Sequence, residues 1–189
     1  MNQNNLSAVD WSSIPKPEDD GKASHLCGMK LPSAAMKSTD GRHVDISSLP
    51  GVTVVFVYPM TGRPDTPLPD GWDQIPGARG CTPQSCSFRD LYAEFQSLGV
   101  KNLFGLSTQS TQYQDEAVKR LHLPFPMLSD SNLNFSKALG LPSMVVERMT
   151  LLKRITFVIN DGTINKVFYP VFPPDKNAAE VIRYLKQRR

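Results

Sequence analysis

The sequence predicts an α/β sandwich, and three observations carry that reading. Residues 52–58 form an unbroken β-branched and aromatic run, the pattern of a strand covered on both faces. Phe88, Leu91, Phe95 and Leu98 recur at three- and four-residue intervals, the period of an amphipathic helix. From Leu103 onward, strand-like and helix-like segments alternate to the C-terminus. A chain of 189 residues with 40% hydrophobic and 21% charged residues suits one compact domain.

Taken in order, residues 1–23 are polar, with Pro15, Pro17 and the acidic run Glu18-Asp19-Asp20. They show no sustained apolar period and read as a flexible N-terminal arm ahead of a domain over residues 24–189. Thr39-Asp40-Gly41-Arg42 supplies turn chemistry for a hairpin at the domain edge. The strand run stops at Pro59, and between Pro59 and Gly80 lie five prolines and four glycines, a density that defeats helix and ladder alike. A loop this long in a compact domain is functional or disordered, and this one leads directly to two cysteines. The amphipathic helix is expected to begin near Thr82 and close at Gly99. A strand over 103–107, a helix over 111–121, a strand near Met127 and a short helix over 133–139 follow. Strands over 155–159 and 164–169 and a helix over 178–187 complete the pattern.

Several function classes are excluded or disfavoured. No apolar stretch approaches the ~20 residues of a membrane helix. The N-terminus lacks the basic start and apolar run of a secretory signal, so a cytoplasmic location is expected. The formal charge is only +3, with no basic cluster beyond a short C-terminal run, which argues against nucleic acid as a partner. Three cysteines, Cys27, Cys81 and Cys86, are too few for a secreted disulfide scaffold and point to redox chemistry.

Gly80-Cys81-Thr82-Pro83-Gln84-Ser85-Cys86 places one cysteine at the start of a helix and the second a turn and a half further on. Pro83 fits only a first turn and Thr82 is a good N-cap, so unpaired N–H groups and the positive end of the helix dipole face Cys81. Arg79 could add a positive charge. Such surroundings stabilise a thiolate, which makes Cys81 the expected nucleophile. A thiolate attacking a peroxide becomes a sulfenic acid, and a second thiol condenses it to a disulfide before further oxidation. Cys86 is the nearest candidate. In one regular helix the two Cα atoms stand about 8.5 Å apart, beyond the ~7 Å a disulfide tolerates, so resolution requires the first turn to unwind. The plainer reading is that Cys86 and Cys27 pack in the core, as free cysteines often do.

These residues resemble the peroxiredoxins, specifically the Q-type, or bacterioferritin comigratory protein, branch. The resemblance spans about residues 26–186 and rests on Val55-Phe56-Val57-Tyr58-Pro59, Gly80-Cys81-Thr82, Cys86-Ser87-Phe88-Arg89-Asp90 and Arg154-Ile155-Thr156-Phe157-Val158-Ile159. It implies a thioredoxin-like three-layer sandwich with a mixed central sheet and flanking helices. It further implies a peroxidatic Cys81, a resolving Cys86, and Arg154 as the strand-borne arginine beside the thiolate. The activity implied is reduction of hydrogen peroxide and organic hydroperoxides without a cofactor, recharged by a thioredoxin or glutaredoxin-like donor, in a monomer or weak homodimer. An ordinary strand-edge role for Arg154, paired with Glu147 or solvent, is the alternative.

The chain also departs from the pattern. The branch carries proline seven residues and threonine three residues before the peroxidatic cysteine, where Gln74 and Ala78 stand here. An insertion within the loop accounts for this, with Pro59 as the motif proline and Thr61, or else Thr66, supplying the hydroxyl. Trp72 within the insertion forms a lid or contact surface, or else anchors the loop. Competing readings are a thioredoxin-fold redox regulator without turnover and a soft-metal module using the cysteines with His25, His43 or His122.

Overall fold

The computed structural model describes residues 9–188. Two short strands, β1 (Ala35–Ser38) and β2 (His43–Asp45), form the expected antiparallel edge hairpin, turned at Gly41 with a φ of 86°. The β-branched run becomes β3 (Val52–Val57). The long loop follows and delivers the chain to α1 (Cys81–Asp90) and α2 (Tyr92–Ser97). Then come β4 (Val100–Ser107), α3 (Thr111–Arg120), β5 (Met127–Ser129) and α4 (Asn134–Leu139). A two-stranded hairpin, β6 (Ser143–Val146) and β7 (Met149–Leu152), precedes β8 (Ile155–Asn160), β9 (Thr163–Phe168) and α5 (Asn177–Gln187).

Seven strands make one mixed sheet in the order β2-β1-β5-β4-β3-β8-β9. β3 is interior, parallel to β4 on one side and antiparallel to β8 on the other. Its side chains alternate between two separate cores, as a strand buried on both faces must. Val54, Phe56 and Tyr58 pack with residues of α1, α2, α3 and α5, whereas Val55 and Val57 pack with Phe135 and Leu139 of α4 and with Leu26, Leu31 and Ile46. The expected three layers are therefore present. Phe56 stacks on Phe88 with ring centroids 4.4 Å apart, which seats α1 directly on β3.

The structure revises several boundaries. The single helix expected from Thr82 to Gly99 is two, divided at Leu91, whose ψ of 8° lies outside the helical range. The apolar period crosses that break because Phe88 and Phe95 still reach one cluster and stack 5.5 Å apart. The β6–β7 hairpin was not anticipated. Its turn residues Glu147 and Arg148 adopt φ values of 46° and 68°, positions where Asn or Gly would have given a signal. Trp72 is buried against Ala78, Val146 and Leu151, so it anchors the loop rather than standing proud of it.

Of the expected N-terminal arm, residues 1–8 lie outside the described residues, and the rest rests on the domain. Trp11 meets Phe172 edge-on at 6.0 Å. Asp20 accepts hydrogen bonds from Lys153 Nζ and the Tyr169 hydroxyl, both at 2.8 Å. A polar, proline-rich composition concealed these contacts because they depend on partners far along the chain.

The Lys153 hydrogen bond, aided by Tyr169, holds the Asp20 carboxyl below the usual carboxylate range. A depressed folded value adds stability above the unfolded value of about 3.9 and loses it as pH falls towards the folded value. Asp20→Asn is therefore expected to lower the urea midpoint at neutral pH, with the difference from the parent shrinking below about pH 4. A difference that stays constant across that range would show that Asp20 is not clamped.

Candidate active site

The site begins with a backbone constraint. Gly80 adopts a φ of 109°, and a Cβ there would lie 2.6 Å from Pro174 Cγ and 2.8 Å from Trp11 Cη2. Only glycine fits, and its conformation turns the loop abruptly into α1. The N-cap is Gly80 rather than the expected Thr82, which places Cys81, Thr82 and Pro83 in the first helical turn. Pro83 has no N–H to leave unpaired, while the backbone N–H groups of Cys81 and Thr82 point out of the helix end.

Arg154, 3% exposed, stands immediately before β8. Its Nη2 lies 3.3 Å from Cys81 Sγ and within 3.2 Å of the carbonyl oxygens of Gly77, Ala78 and Arg79. Two hydrogens are shared among four acceptors, so Nη2 is a hub for the last turn of the loop. Nη1 donates to Gln84 Oε1, on the same helix as the cysteine. Gln84 Nε2 in turn donates to Asn177 Oδ1 at 3.1 Å, and the Thr156 hydroxyl donates to the same oxygen at 2.7 Å. Gln84, Asn177 and Thr156 are fully buried. The guanidinium is thus fixed to loop, α1, β8 and α5 at once.

Cys81 is 4% exposed, yet its cavity opens to the surface between Met60, Gly62, Trp72, Pro83 and Arg120. Its thiol donates to Ala78 O at 3.6 Å. Arg79, expected beside the sulfur, instead pairs with Asp73. Cys86 is buried in the apolar cluster with Phe88 and Phe95, and burial pushes its thiol up from the ordinary value. Both thiols are free. A fixed cation and a helix N-terminus therefore converge on one sulfur in a cavity that opens to the surface. The second sulfur waits in an apolar environment on the same helix.

Residues 26–182 match the profile of the family described as Redoxin. The chain belongs to the redoxin family. Within it, the peroxiredoxin Q of Sedum lineare, a chloroplast protein, is 32% identical over 161 residues, covering 84% of this chain and 77% of that one. The putative peroxiredoxin bcp of Coxiella burnetii is 26% identical over 159 residues, covering 82% of this chain and 95% of its own. Among solved structures, peroxidoxin BcpB of Mycobacterium tuberculosis superposes with a TM-score of 0.70 at 24% identity, over 87% of this chain and 99% of that one. These relatives place the chain in the Q-type, bacterioferritin comigratory branch of the peroxiredoxins, with the thioredoxin-like fold. As a peroxiredoxin it is a thiol-dependent peroxidase.

Of the residues singled out in the sequence, the peroxiredoxin fold brings Cys81 and Arg154 into contact and keeps Cys86 on the same helix. Arg154 does not pair with Glu147, which accepts from the Asp70 N–H instead. Thr61 is fully buried near the site, but its N–H and hydroxyl both donate to Gln109 Oε1, at 3.0 and 3.3 Å, and neither reaches the sulfur. Cys27 is exposed, not packed in the core, with its thiol 3.6 Å from Asn165 O. His25 Nε2 lies 3.0 Å from Leu139 O, and among the described residues no three His, Cys, Asp or Glu side chains converge on one point. Gln84 was legible in principle, three residues after Cys81 and hence on its helical face. Asn177 carried no local signal, being one polar residue at the start of a distant helix.

A raised thiol stays protonated as pH climbs past the ordinary value of about 8.5, so Cys86 should resist iodoacetamide there. Peptide mapping of the reduced protein is expected to show Cys86 alkylation with a midpoint above about pH 8.5, falling to the ordinary value in urea. Identical profiles in folded and unfolded protein would contradict the burial argument.

Proposed function

We propose that Cys81 is the peroxidatic residue, Cys86 the resolving residue, and Arg154 the group that holds the attacking sulfur and the peroxide in register. The contact between Arg154 Nη2 and Cys81 Sγ, 3.3 Å between two buried side chains, is the observation that carries this reading. The Cys81 thiolate attacks the terminal oxygen of the hydroperoxide; an S–O bond forms as the O–O bond breaks. The departing alkoxide or hydroxide takes a proton and leaves as alcohol or water. Arg154 suits this step because it never deprotonates, and its planar fork can face a sulfur and an oxygen together.

The second step joins Cys86 sulfur to the Cys81 sulfenic acid and releases water. In the folded helix the two Cα atoms are about 8.5 Å apart and on different faces, beyond disulfide reach. The first turn of α1 therefore opens after oxidation, which also frees Cys86 from its apolar surroundings. Thr61 serves here as a positioning residue, bracing the loop through Gln109 rather than touching the sulfur.

The resulting intramolecular disulfide needs an external dithiol, a thioredoxin or glutaredoxin-like protein. A reducing compartment such as the cytoplasm suits a cycle that must return to the dithiol, and suits the exposed Cys27 thiol. The protein works as a monomer or weak homodimer.

Peroxide consumption coupled to thioredoxin and its reductase tests the assignment. Cys81→Ser is expected to abolish turnover. Cys86→Ser should still form one sulfenic acid, trapped by dimedone, but lose thioredoxin-supported cycling. Arg154→Lys keeps the charge and loses the fork, so oxidation of Cys81 should slow by roughly 10- to 100-fold, the worth of a hydrogen bond to a charged group. Full turnover in Cys81→Ser, or an unchanged rate in Arg154→Lys, would overturn the roles given.

A further inference from the structure

Arg154 can only donate, and that fixes the direction of the hydrogen bonds behind it. Its Nη1 meets the Gln84 side-chain oxygen, which leaves the Gln84 nitrogen to face Asn177. Asn177 Oδ1 accepts from Gln84 Nε2 at 3.1 Å and from the Thr156 hydroxyl at 2.7 Å. Asn177 Nδ2, by contrast, is buried without a hydrogen-bond partner among the described residues. A buried donor left unpaired is destabilising, so Asn177 is held here as an acceptor: one oxygen serves two donors while its own nitrogen serves none. The relay also joins parts that move differently. Thr156 lies in β8 and Asn177 opens α5, whereas Gln84 lies on α1 between Cys81 and Cys86, on the segment that the resolution step has to open.

We propose that Asn177 is a positioning residue that latches Gln84 and acts in opposite senses on the two halves of the cycle. It supports attack, because its oxygen keeps the Gln84 amide in the orientation that presents Oε1 to Arg154. It restrains resolution, because it ties the first turns of α1 to α5. Asn177 hydrogen-bonds to neither sulfur, so both effects pass through Gln84. The inference rests on the roles proposed above for Arg154 and Cys86, and adds the group that sets the balance between the folded and the opened helix. Opening the turn breaks both side-chain bonds of Gln84, so the Asn177 bond adds directly to the free energy of opening.

Rapid-quench mass spectrometry after mixing reduced protein with hydrogen peroxide separates the two halves. Sulfenic acid formation is followed in a Cys86→Ser background and disulfide formation with both cysteines present. Asn177→Leu, similar in size but with no acceptor, is expected to slow the first and speed the second, each by roughly threefold to tenfold, the worth of one neutral hydrogen bond. Asn177→Asp keeps the acceptor and is expected to show attack no slower and resolution no faster than the parent. In a Gln84→Leu background, Asn177→Leu should change neither rate further. Thr156→Val weakens the relay from its other end and should shift both rates in the same opposite senses by less; it decides the matter if Asn177→Leu does not fold. Rates that move together, rates that stay unchanged, or an Asn177→Leu effect that persists without Gln84 would overturn the latch. If Arg154→Lys slows attack while the relay variants leave both rates unchanged, only the latch is lost. An unchanged rate in Arg154→Lys would remove the role of Arg154 and the latch with it.

Discussion

The buried guanidinium of Arg154 is the contact around which the rest of the site is arranged. A charge taken out of water is costly unless its donors are engaged, and here both terminal nitrogens are engaged while Nε is buried without a hydrogen-bond partner among the described residues. Here the partners are three successive loop carbonyls, a glutamine of α1 and the Cys81 sulfur. Meeting that demand fixes the end of the long loop, the first turn of the helix and the start of β8 relative to one another. The pairing of β3 with β8 and the stacking of Phe56 on Phe88 bring those three segments within reach.

The same demand explains why a loop with so many prolines is not loose at its end. Gly77, Ala78 and Arg79 give up their carbonyls to Arg154, and Gly80 turns at a conformation that Pro174 and Trp11 close off to any other residue. The middle of the loop is held differently. Trp72 packs with Ala78, Val146 and Leu151, which pins the insertion against the β6–β7 hairpin. Two packing tasks, one polar and one apolar, divide the insertion between them.

How much was legible in the sequence follows from how local each determinant is. The run of residues 52–58 declared an interior strand because burial on both faces leaves no polar alternation. Gly80-Cys81-Thr82-Pro83 declared a helix start, although Gly80 and not Thr82 proved to be the cap. The β6–β7 hairpin was hidden because its left-handed turn residues are Glu147 and Arg148. The placement of Thr61 on Gln109, of Arg79 on Asp73 and of Asn177 beneath Gln84 depends on long-range packing, which no local spacing encodes. The helix start that carries Cys81 was therefore readable, whereas the network around it was not.

One tension remains built into the helix. On the proposed roles one conformation serves attack and another serves resolution, because the geometry that sets Cys81 against Arg154 keeps Cys86 buried and, at about 8.5 Å between Cα atoms in a regular helix, beyond disulfide reach. Hydrogen–deuterium exchange across residues 80–88, compared between reduced and peroxide-oxidised protein, tests this most directly. Amide protection in this segment is expected to be lost when the disulfide forms. Unchanged protection would contradict it.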